Sequence, residues 1–314
     1  MKLRKLLCTL GAVLLLSSCA APAAPDGRLQ VVCTLFPYYD FVRSIGGEYV
    51  NATLLIPAGR ETHSFEPTPL DVITMSQADV LVYNGGEGEY WVSETLGAAG
   101  EDIGTVLCMM DYADTLEEEI VEGMEGHEGH DHDGHEHEVA YDEHIWTSPV
   151  GAQTLCRAIC DALCAADPAH ADAYRANLTA YLQELQDLDD AFRQVVSQAR
   201  RHTLIFGDRF PLLYFCDTYG LDYRAAFQGC ASDTEPSLAT LKYLIDKVEE
   251  DAIPVVYTIE LSSQKIAQAI AETTGARVLT FHSCQAVTRE EFDAGATYLS
   301  LMWQNVEVLK EGLW

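Results

Sequence analysis

The chain has 314 residues, with 19 Lys and Arg against 49 Asp and Glu, which gives a formal charge of −30 when the ten His are neutral. Nucleic acid and anionic membrane surfaces repel a chain of this charge, so neither is expected as a partner. A hydrophobic fraction of 48% and a charged fraction of 22% are typical of a globular protein and exclude disorder of the whole chain. The length favours two domains.

The first 18 residues have the pattern of an export signal. Basic residues at positions 2, 4 and 5 precede an apolar run from Leu6 to Leu16 that is too short to span a membrane. The run ends in Leu16-Ser17-Ser18-Cys19, which resembles the bacterial lipobox, whose cysteine takes a lipid before the signal is removed. We therefore expect an exported protein whose only membrane contact is a lipid on Cys19, at the outer face of a bacterial cell membrane. A plain signal peptide is the alternative, and residues 19–28 are predicted to form a tether.

Beyond the tether, short β-type apolar runs alternate with helix-like stretches, which predicts an α/β fold. The predicted strands of the first half are Leu29–Phe36, Ala52–Ile56, Val80–Asn84 and Thr105–Met109. Those of the second half are Thr203–Gly207, Tyr223–Phe227, Pro254–Ile259 and Arg277–Phe281. The pattern therefore indicates two four-stranded α/β lobes, an N-lobe over residues 29–166 and a C-lobe over residues 202–314.

A long amphipathic helix is predicted between the lobes, over residues 167–201. Its apolar residues recur in steps of four and three: Tyr174, Leu178, Tyr181, Leu185, Leu188, Phe192, Val195 and Ala199. About 30 residues at 1.5 Å each extend about 45 Å, which is enough for a rigid connection along both lobes. The same stripe would suit a coiled-coil dimer, but so short a repeat inside an α/β chain more often packs on its own sheets. We therefore expect a monomer.

Residues 111–143 interrupt the N-lobe with 14 Asp or Glu and no Lys or Arg. So charged a segment is too polar to bury, and it is predicted to form a mobile loop. Five histidines alternate with carboxylates and glycines there: His127, His130, His132, His135 and His137. Because neutral imidazole binds zinc, nickel and copper, the loop is expected to capture metal ions weakly and exchangeably, near the mouth of a binding site. A simply solvated acidic linker is the alternative.

Three histidines outside this loop occupy similar positions. His63 lies between a predicted strand and a predicted helix, His144 stands where the acidic loop returns to ordered structure, and His282 follows the last predicted strand. Open α/β sheets bind ligands at strand ends, so these histidines are candidates for one shared site. Cys230 and Cys284 also lie in loops after predicted strands, and because an exported chain permits disulfides we hypothesise that they pair.

These features together resemble the metal-specific substrate-binding lipoproteins of zinc and manganese ABC importers. The resemblance rests on Thr34-Leu35-Phe36-Pro37, on the segment from His63 to Pro69, on a His-rich insert ending in Asp142-Glu143-His144-Ile145-Trp146, and on the long helix. It spans nearly the entire mature chain. It implies two four-stranded lobes joined by a rigid helix, with one ion held between the lobes by two side chains from each.

The resemblance also implies a set of metal ligands. By motif, His63 and His144 would be the N-lobe ligands. In the C-lobe the family usually places a His or Glu shortly before a helix that ends in Tyr-Gly-Leu. Asp208 is the nearest ligand-capable residue, one residue further than usual from Tyr219-Gly220-Leu221, and the alternative is that it caps the following helix or pairs with Arg209. The family's fourth ligand, commonly an Asp after the last strand, falls on His282.

Three imidazoles and one carboxylate suit Zn²⁺, whereas Mn²⁺ would prefer more oxygen ligands. Glu260 is a reserve ligand, or an acceptor for the N–H of a ligating imidazole. We expect an extracytoplasmic high-affinity zinc receptor that delivers its ion to the permease and ATPase of an ABC importer, without catalysis, because four side chains leave no open position for water. One alternative is an exported zinc-dependent hydrolase in which Glu260 or Glu143 activates water, although H-E-x-x-H and G-x-S-x-G are absent from the sequence. The other is a metal-binding surface adhesin or buffer without a transport partner.

Overall fold

The structure is a computed structural model that describes residues 27–99, 103–124, 140–229 and 236–314. The strands of this part of the chain are β1 (Leu29–Cys33), β2 (Val50–Leu54), β3 (Val80–Tyr83), β4 (Thr105–Cys108), β5 (Thr203–Phe210), β6 (Asp222–Gln228), β7 (Val255–Thr258) and β8 (Arg277–Thr280). The α-helices are α1 (Phe36–Gly46), α2 (Pro69–Ser76), α3 (Tyr90–Ala99), α4 (Pro149–Ala166), α5 (Ala171–Ser197), α6 (Leu213–Tyr219), α7 (Leu238–Glu250), α8 (Lys265–Thr274), α9 (Arg289–Asp293) and α10 (Tyr298–Leu313).

The strands form two separate four-stranded sheets, one in each lobe. The N-lobe sheet has the order β2-β1-β3-β4 and the C-lobe sheet has the order β6-β5-β7-β8, with every neighbouring pair parallel. In the first sheet Val31 pairs with Ala52 on one side and with Val80 on the other. The predicted fold class, two four-stranded α/β lobes joined by a long helix, is thus confirmed.

The loops at the strand ends pass quickly into helices because the sequence supplies helix-starting residues there. The first predicted strand ran too far, since Pro37 lies at the start of α1 and its fixed φ suits the first helical turn. After β2, Thr68 caps α2 through a reciprocal pair of hydrogen bonds with Asp71. Ser148 caps α4 in the same region by accepting the N–H of Gly151 at 3.0 Å. The capped first turns of α2 and α4 therefore fix the ends of the loops that carry the N-lobe candidate ligands.

Helix α5 joins the lobes and contacts both of them. Its 27 residues extend about 40 Å at 1.5 Å per residue. It packs against α1 and α4 of the N-lobe and against α10 of the C-lobe. Besides Asp189, the side chains it buries belong to the predicted apolar stripe: Tyr174, Tyr181, Leu185, Leu188, Phe192 and Val195. No helix in the described ranges is both long and apolar enough to cross a membrane.

The two lobes share a continuous buried core beneath the loops at their strand ends. The rings of Phe41 and Tyr298, one from each lobe, pack edge to face with centroids 4.9 Å apart. The Trp146 indole donates to the carbonyl of Ser283 at 2.9 Å, and the Tyr298 hydroxyl donates to the carbonyl of Trp146 at 2.8 Å. The backbone N–H of Tyr298 donates to Asp40 at 2.8 Å. The lobes are therefore tied together by buried polar contacts as well as by α5.

The first part of the acidic insert, residues 111–124, which we call the acidic segment, is packed against the C-lobe. The N–H of Leu116 donates to the Tyr214 hydroxyl at 3.1 Å, and Glu118 accepts the N–H of Gly229 at 3.1 Å. The predicted mobility over 111–143 is therefore wrong for this stretch, because Leu116 and two further apolar residues between its charges, Val121 and Met124, pack into the core. The five loop histidines, like Cys19, lie outside the described residues.

Candidate metal centre

His63 lies in the loop between β2 and α2, where the N-lobe faces the C-lobe. Its Nε2 atom is 3.1 Å from the side-chain amide nitrogen of Gln285, a C-lobe residue. Burial lowers the pKa of His63 to about 4, and the positive charges of His144 and Arg209 act in the same direction. The ring is therefore neutral near pH 7. Because the amide donates to Nε2, the lone pair of that nitrogen faces the gap between the lobes.

His144 follows the acidic insert and is fully buried. Its Nδ1 is 3.2 Å from a carboxylate oxygen of Asp142, and its backbone N–H donates to the same oxygen at 2.8 Å. Burial lowers the pKa of His144, but the Asp142 carboxylate outweighs it and holds the pKa above the ordinary value. The Nε2 atom is buried and has no hydrogen-bond partner among the described residues. Once its Nε2 has lost its proton, His144 has the usual arrangement of a metal-ligating histidine, with a carboxylate on one imidazole nitrogen and a lone pair on the other.

The structure brings these two imidazoles together. Their ring centroids are 5.9 Å apart, with an angle of 62° between the ring planes. Two imidazoles that bind one tetrahedral Zn²⁺ through bonds of about 2.0 Å have centroids roughly 5 to 6 Å apart. The separation of the rings therefore suits a shared cation, which would replace the Gln285 amide at Nε2 of His63.

The carboxyl groups beside the pair are buried and tightly held. Glu143 accepts the N–H of Gly88 at 3.0 Å, and burial raises the pKa of its carboxyl. Burial raises the pKa of Glu89 to about 7. A Cβ on Gly88 would lie 2.8 Å from a carboxylate oxygen of Glu143 and 3.3 Å from Nδ1 of His63, so a larger residue would require the Glu143 carboxylate to move. The loop at the end of β3 thus closes tightly over the site.

Asp208 and His282 have other partners, and the structure does not gather them with the pair. Asp208 accepts the N–H of Arg209 at 2.9 Å and that of Ile259 at 3.5 Å. Nδ1 of His282 accepts the N–H of Cys284 at 2.9 Å. Its buried Nε2 has no hydrogen-bond partner among the described residues and is 3.8 Å from Glu291 of the same lobe. Within the described ranges, which include all four predicted ligands, no group of three or more His, Cys, Asp or Glu is arranged to hold a metal ion.

Local backbone geometry explains both positions. An irregularity in the pairing of β5 lies between Phe206 and Arg209, so it is Arg209 that reaches the N-lobe while Asp208 is directed at β7. Asn305 holds His282 on both sides, because it accepts the backbone N–H of His282 at 2.8 Å and donates to its carbonyl at 2.7 Å. The backbone of His282 is therefore fixed in the interior of the C-lobe.

Glu260 organises the loop that carries Gln285. Its carboxylate accepts the backbone N–H groups of Ser283 at 2.7 Å, Gln285 at 3.1 Å and Ala286 at 3.3 Å. One of its oxygens is also 3.6 Å from Nδ1 of His282. Cys284 in this loop is buried and forms no disulfide with any described cysteine, and Cys230, its predicted partner, lies outside the described residues.

Two C-lobe side chains at the histidine pair are Arg209 and Gln285, and neither was a predicted ligand. The guanidinium of Arg209 spans the lobes and makes a two-point contact with Glu61, at 3.0 and 3.4 Å. Burial raises the pKa of Glu61, but the hydrogen bond from Arg209 holds it below its ordinary value. The sequence did contain a signal for Arg209. Asp208 is one residue further than usual from the Tyr-Gly-Leu helix end, so Arg209 is the residue at the usual spacing. No comparable signal in the sequence indicated Gln285.

Two parallel four-stranded lobes, a long connecting helix and a histidine pair at the seam define a two-lobed solute-binding protein. The family described as zinc-uptake complex component A, periplasmic (ZnuA), matches residues 31–312, and the chain belongs to this family. The zinc-binding lipoprotein AdcA of Streptococcus pneumoniae is 33% identical over 311 residues, which are 99% of this chain and 60% of AdcA. The chain thus spans about three fifths of that relative.

Two further comparisons cover most of both proteins. The high-affinity zinc uptake system protein ZnuA of Bacillus subtilis is 33% identical over 286 residues, which are 91% of this chain and 88% of that protein. The crystal structure of the Zn(II)-bound ZnuA-like domain of Streptococcus pneumoniae AdcA matches with a TM-score of 0.74 and 30% identity, over 91% of this chain and 99% of that domain. The similarity therefore covers both lobes and the helix between them.

Proposed function

We propose that this protein is an extracytoplasmic receptor that binds Zn²⁺ with high affinity between its lobes and delivers it to an ABC importer. The proposal rests on one observation above all. The ring centroids of His63 and His144 are 5.9 Å apart, and the His144 ring has a buried Nε2 without a hydrogen-bond partner among the described residues that could bind a metal ion. The family and the names of the relatives supply the cargo, and imidazole nitrogen favours zinc over manganese.

The transport function extends to partners and location. As a component of an uptake complex, the protein would dock on a permease that is driven by an ATPase, and it would act as a monomer. A lipid on Cys19 would hold it at the outer face of the cell membrane, as the name of the lipoprotein AdcA supports. The chain is a component of a transporter and not an enzyme, so the family favours uptake over the exported hydrolase and over an adhesin or buffer.

The identity of the remaining ligands is a separate prediction. The predicted set of His63, His144, Asp208 and His282 would have to be completed by movement of the last two, which are held within the C-lobe. The weak capture of ions by the His-rich loop and the disulfide between Cys230 and Cys284 stay predictions.

Zinc binding is tested by competition with a chromophoric chelator, using the secreted form of the protein. His63→Ala and His144→Ala should each weaken one tight site by at least a hundredfold. His170→Ala is the matched control, because His170 stacks on Tyr49 at the start of α5, away from the pair, and it should leave the affinity within about twofold. A wild-type protein without a tight zinc site would refute the proposal, and so would unchanged affinity in both histidine variants.

A further inference from the structure

The two C-lobe side chains at the histidine pair both bind back to residues of one N-lobe loop. Arg209 makes its two-point contact with Glu61, and Gln285 contacts Nε2 of His63. Arginine is a permanent cation with donors only, so it cannot ligate a metal ion. The C-lobe therefore presents a positive charge and a neutral amide at the place where a cation would bind.

The cation consequently needs a negative charge from the N-lobe. Three other buried carboxylates near the pair are already engaged: Glu89 accepts the N–H of Asn84, Glu143 accepts the N–H of Gly88, and Asp142 holds Nδ1 of His144. Glu61 is engaged as well, by Arg209 and by the backbone N–H of His63, but it is less buried than these three. Its side chain is 34% exposed, and it precedes His63 by two residues in the same loop. Rotation of this side chain towards the ion would need no change in the fold.

We propose that Glu61 is the third protein ligand of the zinc ion, and that Arg209 and Gln285 position the N-lobe ligands of the site. This inference rests on the proposed zinc-receptor function. In the structure Glu61 faces Arg209, in keeping with the lack of a three-ligand group among the described residues. On loading, one carboxylate oxygen turns to the metal while the other keeps its hydrogen bond to the guanidinium. Carboxylates that ligate metals are commonly held in this way by a second partner.

This arrangement has a consequence for the coordination. All three charged or imidazole donors, Glu61, His63 and His144, come from the N-lobe. Gln285 lies on the Nε2 side of His63 and can turn its amide oxygen to the metal as a neutral fourth ligand, because the two ends of an amide differ only by a flip. The zinc ion is then held by three ligands from the N-lobe and by one neutral ligand from the C-lobe.

The test distinguishes two roles of Glu61: a zinc ligand, or a residue that only connects the two lobes. Glu61→Gln keeps a hydrogen-bond acceptor for Arg209 but is a poor zinc ligand, so its zinc Kd should rise at least tenfold while the melting temperature of the metal-free protein changes little. Glu61→His cannot pair with Arg209 but restores a zinc-binding nitrogen, so its Kd should return to within tenfold of wild type. Glu66→Gln, an exposed residue of the same loop, is the control and should leave the Kd within about twofold.

The opposite order would overturn the inference. If Glu61 only tied the lobes together, Glu61→His would lower the melting temperature of the metal-free protein and would bind zinc less tightly than Glu61→Gln. A Kd for Glu61→Gln within threefold of wild type would also overturn it, provided that His63→Ala abolishes tight binding. If neither histidine variant weakened zinc binding, the proposed function itself would fail. X-ray absorption at the zinc edge gives a second measurement, since the wild-type protein should show two imidazoles with oxygen ligands, and Glu61→His should show three imidazoles.

Discussion

Tyr214 in α6 joins the two ends of the acidic insert to the C-lobe. Its hydroxyl donates to the carbonyl of Asp142 at 2.7 Å and accepts the N–H of Leu116 at 3.1 Å. The side chain is 8% exposed. Tyr214→Phe removes both hydrogen bonds without leaving a large cavity, so its effect reports these contacts and little else.

The expected cost follows from the two backbone groups that lose their partner. A buried polar group left unsatisfied costs about 1 to 3 kcal/mol, and the carbonyl of Asp142 is the more buried of the two. We expect Tyr214→Phe to lower the free energy of unfolding of the metal-free protein by about 2 kcal/mol. Because Asp142 orients His144 through Nδ1, zinc affinity should fall as well, by roughly threefold to tenfold.

Urea unfolding of the metal-free protein measures the first effect, and chelator competition measures the second. Tyr112→Phe is the control, because Tyr112 lies in the acidic segment and is 48% exposed. A change in unfolding free energy below about 0.5 kcal/mol for Tyr214→Phe, as is usual for exposed sites, would show that Tyr214 does not fasten the insert. If the unfolding free energy falls by the expected amount while the zinc affinity stays unchanged, the proposed effect of Asp142 on His144 is refuted.

Two other perturbations test the buried core and the His-rich loop. Burial raises the pKa of Asp40 from 3.8 to about 6, so its protonated form stabilises the fold below pH 4 and that stability is lost as the pH rises through 6. Asp40→Asn cannot ionise. We therefore expect the difference in unfolding free energy between this variant and wild type, measured in urea, to shift in favour of the variant by up to about 3 kcal/mol from pH 4 to pH 7.5. A difference that does not change with pH would refute the assignment. Deleting Glu125–Glu138 should remove weak zinc equivalents in calorimetric titration but keep one tight ion, and loss of the tight ion would place a ligand within the loop.

The sheets and the connecting helix were predictable because burial repeats along the chain. Each strand of the two sheets overlaps a predicted β-type apolar run, and α5 lies within the predicted helix of residues 167–201. The packing of the acidic segment against the C-lobe was not predicted, because the high average charge of the segment gives no indication of the few apolar residues that are buried. Met124 is 8% exposed despite its acidic neighbours, and the Leu116 backbone gains a partner from Tyr214, which is 98 residues away in sequence. A contact of that kind leaves no local periodic pattern.

The site was only partly predictable for a related reason. His63 and His144 stand out in the sequence, because imidazole beside proline and aromatic residues at strand ends is an uncommon pattern. The C-lobe half depends on a local irregularity in β5 that exchanges the directions of Asp208 and Arg209. A search for ligand-type residues selects the aspartate and passes over the arginine. It passes over Gln285 also, since a neutral amide is an ordinary surface residue until a fold places it against a histidine.

The contacts below the site restrict how the ion can leave. A wide opening of the lobes would break the hydrogen bonds from Trp146 to Ser283, from Tyr298 to Trp146 and from Tyr298 to Asp40, all of which are buried. At about 1 kcal/mol or more for each bond, with aromatic packing lost in addition, such opening costs several kcal/mol. The contacts of Arg209 with Glu61 and of Gln285 with His63 lie nearer the surface and involve side chains that can rotate. Release should therefore proceed by rearrangement of the His63 loop and slight tilting of the lobes, while α5 and the shared core stay in place.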